Sequence, residues 1–299
     1  MNADYLREVF TEYLQVEKNA SPYTVKFYQE DLDTFFLFLE EEGIEHVKDV
    51  DYAVIRVFLT KQYDQKLSRR SVSRRLSSLR TFYRFLEREE KVDSNPFLQV
   101  SQPKVSKPIP GFLYEEEVEK LFHVNDLTSP LGQRDQAILE LLYATGMRVS
   151  ECANLKLTHV DFSIGTVLVR GKGNKERYIP FGRYAQDALE TYIHDGREKL
   201  TNKVNEDSGS IFLNARGTTL STRGFRLVLN KMVKNAALTI NVHPHKLRHT
   251  FATHLLNAGA DMRSVQELLG HKNLSSTQIY THVTKDHLRN IYKNSHPRA

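Results

Sequence analysis

Four prolines, Pro96, Pro103, Pro108 and Pro110, fall within the stretch from Asp93 to Pro110 (DSNPFLQVSQPKVSKPIP), which shows little hydrophobic periodicity. Each proline lacks an amide hydrogen and biases the preceding residue toward extended backbone, so neither a helix nor a central strand can run through the segment. Such spacing suits a semi-rigid strap between two lobes. The chain is therefore expected as an N-terminal lobe over residues 1–88, a linker over 89–110 and a C-terminal lobe over 111–299. At 299 residues and 40% apolar content there is enough material for two cores.

Upstream of the strap the pattern is helical throughout. Ser21 followed by Pro22 reads as an N-cap with proline in the first turn, after which Val25, Tyr28, Leu32, Phe35 and Leu39 recur at three- and four-residue steps until Gly43. Further helices are expected from Ala3 to about Lys18, from Tyr52 to Gln62 and from Ser68 to about Arg88, giving a four-helix lobe. Between Ser68 and Phe85 stand six arginines and no acidic residue, interleaved with serines. Solvated helix faces usually mix signs because like charges four apart repel, and arginines with short hydroxyls are the usual donors to phosphate oxygens. Arg69, Arg70, Arg74, Arg75 and Arg80 are the resulting candidates for contact with a nucleic-acid backbone.

The formal charge is +5, which favours a polyanionic partner only mildly. A single cysteine, Cys152, excludes an internal disulfide framework and reads as a small buried hydrophobe in a reducing compartment. The first ten residues carry Asp4, Arg7 and Glu8 instead of the apolar core of a signal peptide, and no uncharged apolar stretch approaches membrane-spanning length. A cytoplasmic protein with no membrane partner is the expectation.

The C-terminal lobe reads as mixed and mainly helical. Helices are expected at Glu115 to Phe122 and Arg134 to Tyr143, the second broken by Thr145 and Gly146. A β-hairpin follows, with strands Thr166 to Arg170 and Arg177 to Ile179 around the turn Gly171 to Lys175. A short strand is expected at Ile211 to Leu213, and helices at Thr222 to Ala236, His245 to Leu256, Met262 to Leu269 and Thr277 to His282. Asp261 reads as an N-cap, with Gly259 and Gly270 as stops. His245 and Arg248 lie three apart at a helix start, away from the apolar stripe of Leu247, Phe251 and Leu255. Taken alone, such a pair would be a surface feature. The histidines at 243, 245, 249 and 254 suggest a metal site less well, because Lys246 stands where a zinc hydrolase motif needs glutamate and no Cys, Asp or Glu completes the set. Tyr280 alone would be a packing residue.

What raises these residues is their company. Arg148 in ATGMRVSE, Lys172 in the basic hairpin GKGNKER, His245 and Arg248 in HKLR, His271 in LLGH and Tyr280 nine residues later resemble the motifs of the tyrosine recombinase (phage-integrase-like) family over nearly the whole chain. The resemblance implies a four-helix, SAM-like core-binding domain followed by a mixed α+β catalytic domain. It implies cleavage and rejoining of DNA at a specific recombination site through a 3′-phosphotyrosyl intermediate, with no cofactor and no metal. Tyr280 would be the nucleophile, and Arg148 and Arg248 would hold the charge that builds on the phosphate oxygens. His245 would bond the phosphate or act as base, His271 would donate to the phosphate, and Lys172 would protonate the leaving oxygen, with Lys175 its competitor in the same loop. Glu151 would hold a catalytic Arg or His in place, or be a solvated surface acid. The implied partners are double-stranded DNA, a XerD-like recombinase in a heterotetramer and a cell-division DNA translocase, with resolution of chromosome dimers as the role. In that assembly the two lobes would clamp the duplex, and the segment Lys285 to Lys293 would dock into a neighbouring subunit, docking on its own lobe being the other possibility. A mobile-element integrase with the same chemistry, a non-catalytic DNA-binding protein on the same scaffold and a metal-dependent nuclease are the competing readings.

Overall fold

A computed structural model describes residues 3–103, 112–171, 176–238, 244–270 and 285–299. Within it the chain separates into two compact units, Met1–Pro108 and Ile109–Ala299. The first contains α1 (Ala3–Val16), α2 (Pro22–Glu41), α3 (Tyr52–Asp64) and α4 (Arg69–Arg88). Their starts are set by side-chain caps: the Ser21 hydroxyl accepts from the Thr24 amide at 3.2 Å, the Asp51 carboxylate from Val54 at 2.9 Å and the Ser68 hydroxyl from Ser71 at 3.1 Å. The core is aromatic. Phe10, Phe35, Phe58, Phe82 and Tyr83 are fully buried, and the Tyr83 hydroxyl donates to the Val47 carbonyl at 3.0 Å, so its polar end is satisfied.

The expected strap starts later than the prolines suggested. Pro96 opens a short 3₁₀ turn, Pro96–Gln99, capped by the Asn95 side chain, and this turn inserts Phe97 against Phe35 and Tyr83 with ring centroids 5.6 and 5.0 Å away. Val92 and Val100 are buried in the same core, so residues 92–100 belong to the first unit. Proline here starts a turn, and burial of a phenylalanine, worth ~1.5–3 kcal/mol, outweighs its extended bias. Residues 104–111 lie outside the described set.

The second unit is mainly helical around one small sheet: α5 (Glu115–Phe122), α6 (Pro130–Thr145), α7 (Val149–Ala153), β1 (Val160–Asp161), β2 (Thr166–Arg170), β3 (Glu176–Pro180), α8 (Arg183–Thr191), α9 (Glu198–Thr201), α10 (Thr222–Asn235), α11 (Pro244–Asn257), α12 (Met262–Leu269) and α13 (Lys285–Ser295). The strands form an antiparallel sheet in the order β1-β2-β3, with Val169 opposite Arg177 and Val167 opposite Ile179. Helix α6 is the centre. Every residue from Gly132 to Thr145 except Gln136 is buried, with α5, α8, α10 and α11 packed around it. The expected strand at Ile211 to Leu213 is instead a buried irregular run whose flanks make single bridges, Lys156 to Ser210 and Leu213 to Thr219. The run bonds to two separate segments, the Ile211 amide to the Leu155 carbonyl and, across the turn at 214–217, the Asn214 amide to the Thr218 carbonyl and the Leu220 amide to the Phe212 carbonyl, so neither pairing extends into a strand. Among the described residues no helix is long and apolar enough to cross a membrane.

The C-terminal segment packs on its own unit. Tyr292 is buried with its hydroxyl accepting from the Gly182 amide at 3.0 Å, His296 stacks on it at 4.8 Å, and the Arg298 guanidinium lies between the Phe122 and Tyr184 rings while pairing with Glu140. The His296 Nδ1 accepts from the Arg298 amide at 3.1 Å, which leaves Nε2–H to donate to the Tyr143 carbonyl at 3.3 Å. Burial brings this imidazole down to about 3, so the folded unit holds it neutral while an unfolded chain would protonate it below its ordinary value near 6.5. Stability is then expected to fall by up to about 1.4 kcal/mol per pH unit as pH drops from about 6.5 toward 3. Thermal unfolding of wild type and of His296→Gln across this range checks it: equal acid sensitivity in the two would reject the assignment.

Candidate active site

Helix α6 ends in a left-handed glycine. Gly146, at φ 56°, turns the chain over the Phe251 ring of α11, and a Cβ there would lie 2.3 Å from that ring, so only glycine fits. The turn delivers Arg148 to the N-cap position of α7. Three residues on, Glu151 closes back on it, accepting from the Arg148 amide at 2.8 Å and from Arg148 Nη1 at 3.0 Å. The same carboxylate takes a fork from Arg177 of β3, Nη1 to Oε1 at 3.0 Å and Nη2 to Oε2 at 2.9 Å. Glu151 is therefore a buried clamp on two arginines and not a surface acid. Burial pushes its carboxyl up, but the bonds from Arg177 and the Arg148 amide outweigh that and hold it below the usual range.

Arg248 enters the same cluster from α11. It is 8% exposed, donates through Nη1 to the Gly146 carbonyl at 2.7 Å and through Nη2 to the Leu269 carbonyl at the end of α12 at 2.6 Å. Burial, with the Arg148 charge close by, lowers this guanidinium to about 10, which leaves it protonated at neutral pH. Arg148 is the more open of the two, with 36% side-chain exposure and with Nε and Nη2 lacking a protein partner among the described residues. His245 lies one turn before Arg248 on α11, exposed where Arg248 is buried.

The structure thus brings Arg148, Glu151 and Arg248 together and places His245 on the helix that carries Arg248. Lys172, His271 and Tyr280, together with Lys175, lie outside the described residues, as does the helix expected at Thr277 to His282. Arg177 was not singled out in the sequence. Its direction follows from pairing, because residues opposite one another in an antiparallel ladder share a face and its partner Val169 is buried. The histidine His254 has a packing role, with Nδ1 on the Tyr143 hydroxyl at 2.8 Å and Nε2 on the Leu113 carbonyl at 2.9 Å. Among the described residues no group of three His, Cys, Asp or Glu side chains is placed to hold a metal ion.

In the N-terminal unit the candidate arginines divide. Arg75 bonds Asp31 at 3.2 Å and the Gln62 side chain, while Arg80 bonds the carbonyls of Phe97 and Val100, so both are engaged in holding the unit together. Arg74 is tied to the fully buried Asp31 at 2.6 Å and stacks over Phe27, yet its side chain remains 41% exposed. Arg69 and Arg70, in the first turn of α4, are exposed.

Comparison with known proteins agrees with this architecture. Residues 111–287 match the model of the phage integrase family and residues 8–90 that of the phage integrase N-terminal SAM-like domain. The tyrosine recombinase XerC of Oceanobacillus iheyensis is 66% identical over 292 residues, covering 98% of this chain and 96% of the relative. That of Bacillus subtilis is 54% identical over 98% of this chain and 96% of its own length. Among solved structures, a lambda integrase dimer bound to a COC′ core site superposes with a TM-score of 0.70 at 19% identity, covering 95% of this chain and all of that one. XerH recombinase in a post-cleavage complex on palindromic difH also gives 0.70, at 21% identity over 99% of this chain and 82% of its own. At these identities the likeness is one of fold. The chain belongs to the phage integrase family. It is a site-specific DNA recombinase of the tyrosine class, and its resemblance is to the XerC recombinases.

Proposed function

We propose that the protein cuts and rejoins double-stranded DNA at a specific recombination site, with Tyr280 as nucleophile and a 3′-phosphotyrosyl bond as intermediate. The convergence of Arg148 and Arg248, two guanidinium groups organised by Glu151 and by backbone carbonyls, is the observation that carries this reading. In-line attack by a phenol oxygen on a phosphodiester adds negative charge to the non-bridging oxygens. Fixed guanidinium donors stabilise it without reorganisation and stand where many nucleases use magnesium. His245 bonds the phosphate or takes the phenol proton, His271 donates to the phosphate, and Lys172 protonates the leaving 5′ oxygen. The covalent link keeps the energy of the phosphodiester, so a second 5′ hydroxyl reverses the attack with neither ATP nor metal.

XerC relatives at high identity support action at a specific recombination site. There the protein pairs with a XerD-like recombinase in a heterotetramer and resolves chromosome dimers at cell division, coupled to a DNA translocase. A duplex nicked just beyond the scissile phosphate tests the chemistry, because the short fragment diffuses away and traps the protein on DNA. A covalent adduct is expected from wild type, undiminished by EDTA; loss of cleavage in EDTA would favour a metal-dependent nuclease instead.

Duplex contact by the N-terminal unit is expected to follow exposure. Arg69→Ala and Arg70→Ala should each weaken binding and lower the slope of log affinity against log salt by about 1. Arg75→Ala and Arg80→Ala should instead lower the melting temperature, since they remove intramolecular bonds. Salt titrations and thermal melts of the four variants check this, and an unchanged slope in both Arg69→Ala and Arg70→Ala would exclude that turn from the interface.

A further inference from the structure

We infer that Arg177 is a positioning residue for DNA cleavage, one that keeps Arg148 available to the phosphate and fixes the end of α12; this rests on the recombinase reading above. The residue stands on β3 with 17% side-chain exposure. Two of its nitrogens fork onto Glu151 at 3.0 and 2.9 Å, and the third, Nε, donates to the Leu268 carbonyl at 3.2 Å. Gly270, left-handed at φ 66°, passes directly over the guanidinium, where a Cβ would come within 3.1 Å of its atoms. One planar group thereby joins the turn end of the β2–β3 hairpin, the N-terminus of α7 and the C-terminus of α12.

The consequence for the reaction follows from the geometry of Glu151. Its carboxylate accepts four bonds, two from Arg177 and two from Arg148, one of the latter from the amide. With Arg177 present the carboxylate is shared, and the Arg148 side chain gives it only Nη1. Remove Arg177 and a buried anion is left with half its donors, so it is drawn to pair fully with Arg148 or Arg248, cancelling the charge meant for the phosphate. The same deletion releases the Leu268 carbonyl, next to the Leu269 carbonyl that Arg248 holds, and so loosens the end of α12, two residues before His271. Lysine cannot replace the fork, because a single ammonium does not span a carboxylate and a carbonyl in one plane.

The test is single-turnover adduct formation on the nicked duplex, read together with DNA affinity, for wild type, Arg177→Ala and Arg177→Lys. Both variants are expected to cleave slower by roughly tenfold to a hundredfold, the scale of lost orienting partners, while binding DNA within about threefold of wild type. Millimolar guanidinium should restore part of the rate in Arg177→Ala and none in Arg177→Lys, whose ammonium fills the slot. A variant that cleaves within threefold of wild type overturns the inference, as does a slow Arg177→Ala that loses affinity in proportion and is not rescued, for the residue is then only structural. Should Arg177→Ala fail to fold, Arg177→Lys decides by the same rate criterion. A wild-type protein that forms no adduct would sink the reading of Tyr280 first, and this inference with it.

Discussion

Tyr280→Phe is expected to abolish the covalent DNA adduct, with cleavage reduced on the order of 10⁴-fold or more, as when other enzymes lose their nucleophile. The substitution removes one oxygen and almost no volume, so folding and duplex affinity should be retained. A phenol titrates near pH 10, and the arrangement proposed here supplies both a proton acceptor in His245 and positive charge that favours the phenolate. Denaturing gels of the trapped nicked duplex decide the matter: a protein–DNA band that persists in the phenylalanine variant would show that another group attacks.

Arg248→Ala is expected to act twice. Loss of a fixed donor to the developing charge should slow adduct formation by roughly 10² to 10³, or ~3–4 kcal/mol of barrier. It also strips the Gly146 and Leu269 carbonyls of their partner, and buried groups left unpaired cost ~1–3 kcal/mol each, so the melting temperature should fall as well. Arg248→Lys retains a charge yet cannot reach both carbonyls, and is expected to fall between the two in stability while staying close to alanine in rate. Single-turnover kinetics and thermal melts on the same preparations separate the effects. A wild-type rate in Arg248→Ala would remove this residue from the chemistry whatever its effect on stability.

Local signals in the sequence carried most of the helices, and the exceptions have physical causes. Ser129 and Pro130 repeat the cap seen at Ser21 and Pro22, yet α6 had been expected only from Arg134, a full turn late. No helix was expected between Arg183 and Thr201. Ala185, Leu189 and Tyr192 keep helical spacing there, but the widened turn Tyr192–Arg197, of the π type, puts the next buried apolar position, Leu200, out of step with them. The site was legible as far as residue type and local context reach: the structure brings Arg148, Arg248 and Glu151 near one another, while Lys172, His271 and Tyr280 lie outside the described residues. Arg177 was not, since only strand register turns it inward. Nor could charge counting separate Arg75 and Arg80 from Arg69 and Arg70, because the partners that engage the first two are set by tertiary packing, Asp31 on another helix and the carbonyls of a proline turn.

Around Glu151 a single carboxylate faces three guanidinium groups, those of Arg148, Arg177 and Arg248, so the cluster carries an excess of two positive charges in largely buried surroundings. Before substrate arrives, that imbalance works against the folded state. On the reading proposed above, an incoming phosphodiester would supply the missing anion, so occupation would relieve a strain already built into the protein, and the residues that make it less stable alone would make it receptive to a strand under attack.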